Sequence, residues 1–247
     1  MAQKCVVIAS HPRSGTHLTI DFIRRNFPIF NIQLNFWESA AALYVWLDDD
    51  AQARRSRRGL RTFDRQAILA ATHQFLHIST LEQTLLDRFN PQQIIYIYPF
   101  RKFSKTIKSY AEFSNYAGQI SHFLNTKDRH FGLDATVAQC LHMHAHSWLA
   151  AGAKTLNIDR LVDEPELSAE KLANLLNEPM VDRKRRLPRQ KGLGGGKFGE
   201  LVERLKGRES TAVIVRRKSK WIDKAESEAI DQQFCELFEI LNRRCIN

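Results

Sequence analysis

The sequence predicts a three-layer α/β/α fold around a central, mostly parallel sheet, and three observations lead there. An apolar run, Cys5 to Ala9, passes through the turn Ser10-His11-Pro12-Arg13-Ser14-Gly15-Thr16 straight into an amphipathic helical pattern. A second β-rich run, Gln93 to Tyr98, ends at Pro99-Phe100-Arg101 just before another helical segment. Elsewhere short apolar runs alternate with helical periodicity, which is the βα alternation of a parallel sheet covered on both faces. A buried strand, a tight Gly-containing turn and a helix starting at that turn give the fold its nucleotide-binding, phosphate-loop type.

The elements follow in order. A strand over Lys4–Ala9 leads to a helix from about Thr16 to Asn26. The part from Phe27 to Arg65 reads as irregular or partly helical; it carries Phe36, Trp37, Tyr44, Trp46, the acidic run Asp48-Asp49-Asp50 and the cluster Arg54, Arg55, Arg57, Arg58 and Arg61. A short strand is expected near Ile68 to Thr72, a helix around Leu81 to Phe89, a strand at Ile94 to Tyr98 and a helix from about Ser104 to Phe113. Ala135 to Ala151 reads as a long helix, Thr155 to Ile158 as a strand and Ala169 to Leu176 as a helix. Gly194, Gly195 and Gly196 make Gly192 to Gly199 flexible and part of a mobile lid. A last helix is expected from about Lys224 to Arg244, with Phe234, Leu237, Phe238 and Leu241 at helical spacing as a core stripe. There is no internal repeat.

Composition sets the bounds. With 247 residues, 43% of them hydrophobic, the chain can bury one sizeable core, and no shift in composition demands a second domain, so residues 1–247 are read as one. The formal charge is +10, and its distribution is uneven: Arg183 to Lys220 holds 14 Lys or Arg against 3 Asp or Glu, a balance of +11 that leaves the remainder at −1. A positive field confined to one segment calls for an acidic partner. A solvated basic face or a nucleic-acid patch carries the same signature. No helix-turn-helix, zinc finger or RNA-binding aromatic pattern accompanies it, so nucleic acid is not expected as a partner. Cys5, Cys140, Cys235 and Cys245 are scattered and form no C-x-x-C pair, which suits a reducing compartment. No stretch is long enough to span a bilayer, and the first strand begins almost at once, so no membrane association and a cytoplasmic location are expected.

The chemistry is concentrated at the first turn. Backbone N–H groups at a helix start point outward without intrahelical acceptors and attract an anion. Arg13 adds a fixed positive charge, and Ser14, Thr16 and His17 are candidate side-chain donors to the same oxygens. An ordinary capped turn would have similar residues. The G-x-x-x-x-G-K-[ST] loop of nucleoside triphosphatases is not present, because its Lys and first Gly are missing, which disfavours a kinase or GTPase. Farther on, Arg101 can grip a phosphate bidentately, and Ser109 lies two helical turns away on the adjoining helix. That pair can read a second phosphate that ATP lacks. An ATP-dependent phosphotransferase explains the first motif but not this pair.

The motif Pro12-Arg13-Ser14-Gly15-Thr16-x-Leu18 resembles the loop that holds the 5′-phosphosulfate of 3′-phosphoadenosine 5′-phosphosulfate (PAPS) in sulfotransferases. Arg101-x7-Ser109-Tyr110-x-x-Phe113 is similar to that family's 3′-phosphate motif. Val213 to Trp221, with Arg216, Arg217 and Lys218, resembles its Arg-Lys-Gly segment, for which Arg189-Gln190-Lys191-Gly192 competes. Thr155 to Leu161, with Glu164-Pro165 after it, is similar to its later strand and acidic-Leu turn. The resemblance implies PAPS as donor, adenosine 3′,5′-bisphosphate as product, no required metal, and a small-molecule acceptor with a hydroxyl or amine. It implies a nucleotide site built from Arg13, Ser14, Gly15, Thr16, His17, Leu18, Arg101, Ser109, Arg216, Arg217 and Lys218.

The resemblance also implies a His general base, for which Ala71-Thr72-His73 is the best match and His77 the second. Ala71 stands where relatives commonly have Lys, and Arg13 where many have Lys; an Arg there acts as an electrostatic clamp because it does not give up its proton. Leu18 occupies the place of an adenine-stacking Trp, so stacking passes to another residue such as Phe198. Segments 27–65 and 115–134 correspond to acceptor-pocket positions, with residues 183–220 as a basic lid. If Glu38, Asp48, Asp49, Asp50 and Glu112 line that pocket, a cationic or polyhydroxyl acceptor suits it, for example a polar bacterial natural product. His142, His144 and His146 lie on one predicted helix; an i, i+4 zinc pair lacks partner ligands, and these residues are expected to border the acceptor pocket instead.

Overall fold

Strands that are apolar without alternation must be buried on both faces, and β1 (Lys4–Ala9) is such a strand: Cys5, Val7 and Ala9 face one core layer, Val6 and Ile8 the other. The computed structural model describes residues 4–30, 43–44, 67–76, 78–87, 89–182, 186–188 and 224–247. β1 is the centre of a five-stranded sheet, ordered β2-β3-β1-β4-β5, in which every pairing is parallel. The other strands are β2 (Leu43–Tyr44), β3 (Ala67–Thr72), β4 (Ile94–Phe100) and β5 (Lys154–Asn157).

Helices cover both faces. One layer contains α1 (Thr16–Asn26), α6 (Ile158–Asp163) and α7 (Pro165–Leu176), which pack Ile20, Ile23, Leu161 and Leu172 against Val6, Ile8, Leu69 and Leu156. The other contains α2 (Ile78–Leu86), α3 (Phe103–Phe113), the short α4 (Ile120–Phe123), α5 (Val137–Ala150), α8 (Lys224–Gln233) and α9 (Cys235–Arg243). Its largest fully buried side chains include Trp148, Tyr98 and Phe234. From β1 the chain passes through α1 to the β2 edge and returns at β3. It then crosses by α2, on the opposite face, to β4 on the far side of β1. The direction of strand addition therefore reverses at β1, and the crevice at its carboxyl end is where such sheets hold ligands. Register aligns the exits: Ala9 pairs with Thr72, Ile8 with Ile97, and Phe100 with Asn157.

Several element boundaries differ from the sequence expectation for local reasons. The expected C-terminal helix is two helices, broken at Phe234 (φ −107°, ψ 14°), whose fully buried ring stacks on Phe103 at 4.8 Å and on His142 at 5.2 Å. Ile158 belongs to a helix rather than a strand, because the Asn157 side chain caps α6 by accepting from the N–H groups of Asp159 and Arg160. α7 begins four residues earlier than expected, at Pro165, a residue preorganised for the first helical position. α2 begins at Ile78 and ends at Leu86, displaced towards the N-terminus from the expected span. Within segment 27–65, the described parts are a 3-10 turn, Pro28–Phe30, and β2. The aromatic, acidic and arginine-rich remainder of that segment lies outside the described residues, as does most of residues 183–220. Among the described residues no helix is long and apolar enough to cross a membrane.

The last residues anchor the β5 edge. Thr155 N–H donates to Arg244 O and Ile246 N–H donates to Thr155 O. The Asn247 amide accepts from Asn157 N–H at 2.9 Å and donates to Asn157 O at 2.9 Å and to Ser168 Oγ at 3.0 Å. Asn247→Ala leaves both main-chain groups of Asn157 buried without these partners. We expect it to lower the unfolding free energy by about 2–4 kcal/mol, measured by urea denaturation. An unchanged midpoint would show that the edge is held elsewhere.

Candidate functional site

The loop leaving β1 has a conformation that its residue types make possible. Arg13 adopts φ 70° and Gly15 φ 120°. The second value suits glycine, and a Cβ there would come within 2.6 Å of Ile158 Cγ1. α1 then starts at Thr16 with no side-chain cap, which leaves the first-turn N–H groups without a side-chain acceptor, the arrangement that suits helix starts to anions. Ser14 and Thr16 are buried, and their hydroxyls brace the loop: Ser14 Oγ donates to His11 O at 2.8 Å, and Thr16 Oγ1 shares a 2.6 Å hydrogen bond with Ser10 Oγ. What faces outward is the backbone of the turn, the Arg13 side chain and the exposed His17, while Leu18 is half-buried against the α1 core layer.

β4 delivers the second half of the site. Arg101 follows its last residue, and its Nη2 donates to the carbonyl oxygen of Arg13 at 2.8 Å. Arg13 Nε in turn donates to Ser109 Oγ on α3 at 3.1 Å, and the Arg13 guanidinium lies 5.6 Å from the Phe113 ring centroid. Arg13 of the first turn is thus in direct contact with both Arg101 and Ser109 of the second motif. Arg101 Nε is buried and has no hydrogen-bond partner among the described residues, an orphaned donor of the kind a bound oxyanion satisfies. Burial lowers the Arg101 pKa, and nearby Asp159 opposes that. Asp159 is engaged elsewhere: it accepts from Lys102 N–H at 3.0 Å and from Lys105 Nζ at 2.6 Å. Although burial opposes ionisation, these bonds hold its carboxyl below the usual range. Asp159 carries no directly hydrogen-bonded contact to either arginine, so the cleft keeps a positive surplus.

β3 delivers His73. The half-buried ring places Nδ1 2.7 Å from Ser10 O. A carbonyl oxygen only accepts, so Nδ1 carries the proton and Nε2 the basic lone pair. Burial pushes the His73 pKa down to about 4, against the pull of the Ser10 hydrogen bond, and His130, His17 and Arg13 lower it further. The ring is neutral at neutral pH. His130 stands next to it, with ring centroids 6.0 Å apart, and also lines a cavity of about 540 Å³ walled by Tyr110, Phe113, Tyr116, Phe123 and Asp128. Asp128 is buried and accepts from Tyr110 Oη and His130 N–H, each at 2.8 Å.

The remaining candidates sort as follows. His77, Arg216, Arg217, Lys218, Arg189, Lys191 and Phe198 lie outside the described residues, as do Glu38, Asp48, Asp49 and Asp50. His142 and His146 stack at 6.3 Å along the outside of α5, with His142 against Phe234, and His144 is fully buried in the core. None of the three lines this cavity. Among the described residues no group of three or more His, Cys, Asp or Glu is arranged to hold a metal. Sequence reasoning gave no role to Ser10, His11, Asp128, His130 or Asp159, whose positions depend on contacts between distant segments. Asp159 alone had a local signal, as the acidic residue of the turn after the last strand.

No protein-family model and no curated protein matches the sequence. Among solved structures, the chain is similar to a mouse sulfotransferase complexed with PAP, at TM-score 0.51 and 14% identity over 98% of this chain and 89% of that one. It is also similar to the sulfotransferase domain from the curacin biosynthetic pathway, at TM-score 0.46 and 15% identity over 95% and 98% of the two chains. Retinol dehydratase in complex with androsterone and inactive cofactor PAP matches at TM-score 0.44 and 12% identity over 96% and 81%. The mouse structure settles the architecture: this chain has the sulfotransferase-type α/β fold, a parallel sheet flanked by helices with a phosphate loop at its first βα turn.

Proposed function

We propose that the protein transfers the sulfuryl group of PAPS to a hydroxyl or amine of a small-molecule acceptor. The observation that carries this reading is the convergence of Arg13, Arg101 and Ser109 in one cleft beside an uncapped helix start. A doubly phosphorylated adenosine presents two anionic ends, and the two halves of this cleft offer a cation to each. On this reading the N–H groups at the start of α1 and Arg13 hold the 5′-phosphosulfate, while Arg101 and Ser109 read the 3′-phosphate. Arg216, Arg217 and Lys218 extend that grip, and Leu18 borders the adenine.

The chemistry asks three things of the chain: alignment, stabilisation of charge on the departing phosphate, and removal of one proton. An acceptor oxygen or nitrogen forms its bond to sulfur as the bond from sulfur to the phosphate oxygen breaks. The acceptor's proton passes to Nε2 of His73, and the negative charge stays on adenosine 3′,5′-bisphosphate beside Arg13. His73 suits the base role because its tautomer is fixed by Ser10 O. The cavity beside His130 is our candidate acceptor pocket, with aromatic walls for an apolar body and Asp128, Asn115 and Ser114 for polar groups. A polar natural product of moderate size fits that description. No disulfide forms among the described residues, which include all four cysteines, and this is compatible with a cytoplasmic enzyme.

Calorimetric titration of adenosine 3′,5′-bisphosphate, ATP and AMP tests the donor. The bisphosphate should bind at least about 10-fold more tightly than either, and Arg101→Ala should erase about 10- to 100-fold of its affinity, the worth of a charge-assisted contact. Equal affinity for all three would overturn the reading.

The base is tested separately. His73→Ala should abolish turnover while leaving bisphosphate affinity within about 3-fold, a shift worth under 1 kcal/mol. In the ligand-free protein the His73 ring should titrate near pH 4 by NMR. Because an adjacent anion favours imidazolium, that midpoint should rise when the bisphosphate binds. A midpoint near 6.5 that ignores the nucleotide would remove His73 from the site.

A further inference from the structure

Two donors on one face of α5 reach the loop that carries His73. His144 Nε2 lies 2.9 Å from the carbonyl oxygen of His73, and Trp148 Nε1–H donates to the carbonyl oxygen of Gln74 at 3.0 Å. Both rings are 0% exposed. They stand four residues apart, one helical turn, and they take consecutive carbonyls of a segment that has left the sheet after Thr72. We propose that His144 and Trp148 are positioning residues, a two-point clamp by which α5 fixes the main chain at His73 and so aims its ring at the reacting acceptor. The inference rests on the sulfuryl-transfer reading for the reaction it serves, but not for the clamp itself.

Hydrogen-bond logic fixes the polarity of the whole chain of contacts. Since His73 O only accepts, His144 carries its proton on Nε2, and its Nδ1 accepts from Tyr98 Oη at 3.2 Å. Tyr98 is a fully packed residue of β4, so the clamp is referenced to the sheet. On the far side His73 donates from Nδ1 to Ser10 O, and Ser10 N–H donates to Thr72 O at 3.0 Å. The base loop is held by its carbonyls from α5 and by its ring from the phosphate loop. With one tether removed the other allows the ring to pivot. A residue of this kind acts through another, as outer partners of a metal ligand do.

Neither position needs these residue types for packing alone. A Phe at 144 keeps a ring among Phe75, Phe131 and Tyr98, and a Phe at 148 keeps most of the aromatic volume of the indole. What an apolar ring cannot supply is the N–H aimed at a main-chain carbonyl and, at 144, the acceptor for Tyr98 Oη. The clamp therefore separates by chemistry: removing the donor and keeping the ring should spare the fold and loosen the base.

The test uses His144→Phe, Trp148→Phe and, as rescue, His144→Gln, whose amide can donate to the same carbonyl. In the unaltered protein, the Trp148 indole N–H should resist hydrogen exchange as strongly as core strand amides; rapid exchange would overturn the clamp without any variant. In the ligand-free Phe variants, ¹⁵N spectra should show the His73 ring changing from a single Nδ1–H form to a tautomer mixture, while bisphosphate affinity stays within about 3-fold. Turnover should fall about 10- to 100-fold through kcat with little change in KM, as for a reactive group displaced by a fraction of an ångström, and His144→Gln should restore most of it. Folded Phe variants with an unchanged His73 tautomer and unchanged kcat would overturn the proposal. A shifted tautomer in a protein that transfers no sulfuryl group would sink the functional reading and leave the clamp standing. Transfer activity indifferent to the clamp variants would do the opposite.

Discussion

The hydrogen bond from Arg101 Nη2 to the carbonyl oxygen of Arg13, 2.8 Å long, ties the loop after β1 to the loop after β4. It joins two cations through a neutral main-chain group, so neither charge is neutralised by the contact that brings them together. Its geometry depends on Arg13 adopting φ 70°, a left-handed conformation that costs a non-glycine residue about 1–2 kcal/mol. The hydrogen bond from Arg101 and the placement of the Arg13 guanidinium over Phe113 offset that cost. Asp159, the carboxylate close enough to quench Arg101, is committed to Lys105 and to the Lys102 N–H. The crevice can therefore concentrate positive potential at the place where the sheet's topology opens it. An incoming anion meets charge that is already oriented and needs no reorganisation.

The parts of this arrangement that were legible in the sequence are those set by local chemistry. Pro, Ser, Gly and Thr between an apolar run and a helix specify a turn because each restricts or permits particular backbone angles. Arg101 lies in the turn just before α3 and Ser109 nearly two turns into that helix, so the spacing places both on or beside one short element. Burial of β1 on both faces followed from its lack of alternation. The break at Phe234 was hidden, because the same apolar stripe serves one helix or two until a tertiary partner, here Phe103, takes the ring. The residue types at 14 and 16 suit hydroxyl ligands to an anion, yet both hydroxyls are turned inward by partners at His11 O and Ser10 Oγ that no local pattern announces. Nothing in its local sequence distinguishes His144 from His142 and His146 on the same helix, and only the packing of α5 against β4 and the loop after β3 makes it a buried donor.

Burial keeps the His11, His73 and His144 imidazoles below the ordinary histidine range, and they pack as neutral rings. His11 meets Tyr110 and His144 edge-on at 5.1 and 5.6 Å, and His130 meets His73 at 6.0 Å. Burial holds His11 down at about 3, and burial with its His11 neighbour keeps His144 well below the ordinary histidine range. Each proton added to this cluster would have to be buried beside another ring or beside Arg13. Stability contributed by the neutral rings is consequently complete near neutral pH and is lost as pH falls below the unfolded value near 6.5 towards the lowered folded values.

On the proposed sulfuryl-transfer reading, the neutrality of His73 bears on catalysis. A base lowered to about 4 holds its lone pair at neutral pH, but is a poor proton acceptor in the absence of a compensating charge. Burial is the main cause of that lowering, and the fixed charge of Arg13 adds to it. A dianionic or more highly charged nucleotide in the crevice would screen Arg13 and present negative charge to the same ring, raising the affinity of Nε2 for a proton. Proton removal would then become easier with the donor in place, so that on this reading one electrostatic feature serves both the nucleotide and the base. The tethers on His73 matter for the same reason. Charge coupling over a few ångströms depends on separation, so a ring free to swing would lose both its aim at the acceptor and its response to the bound anion.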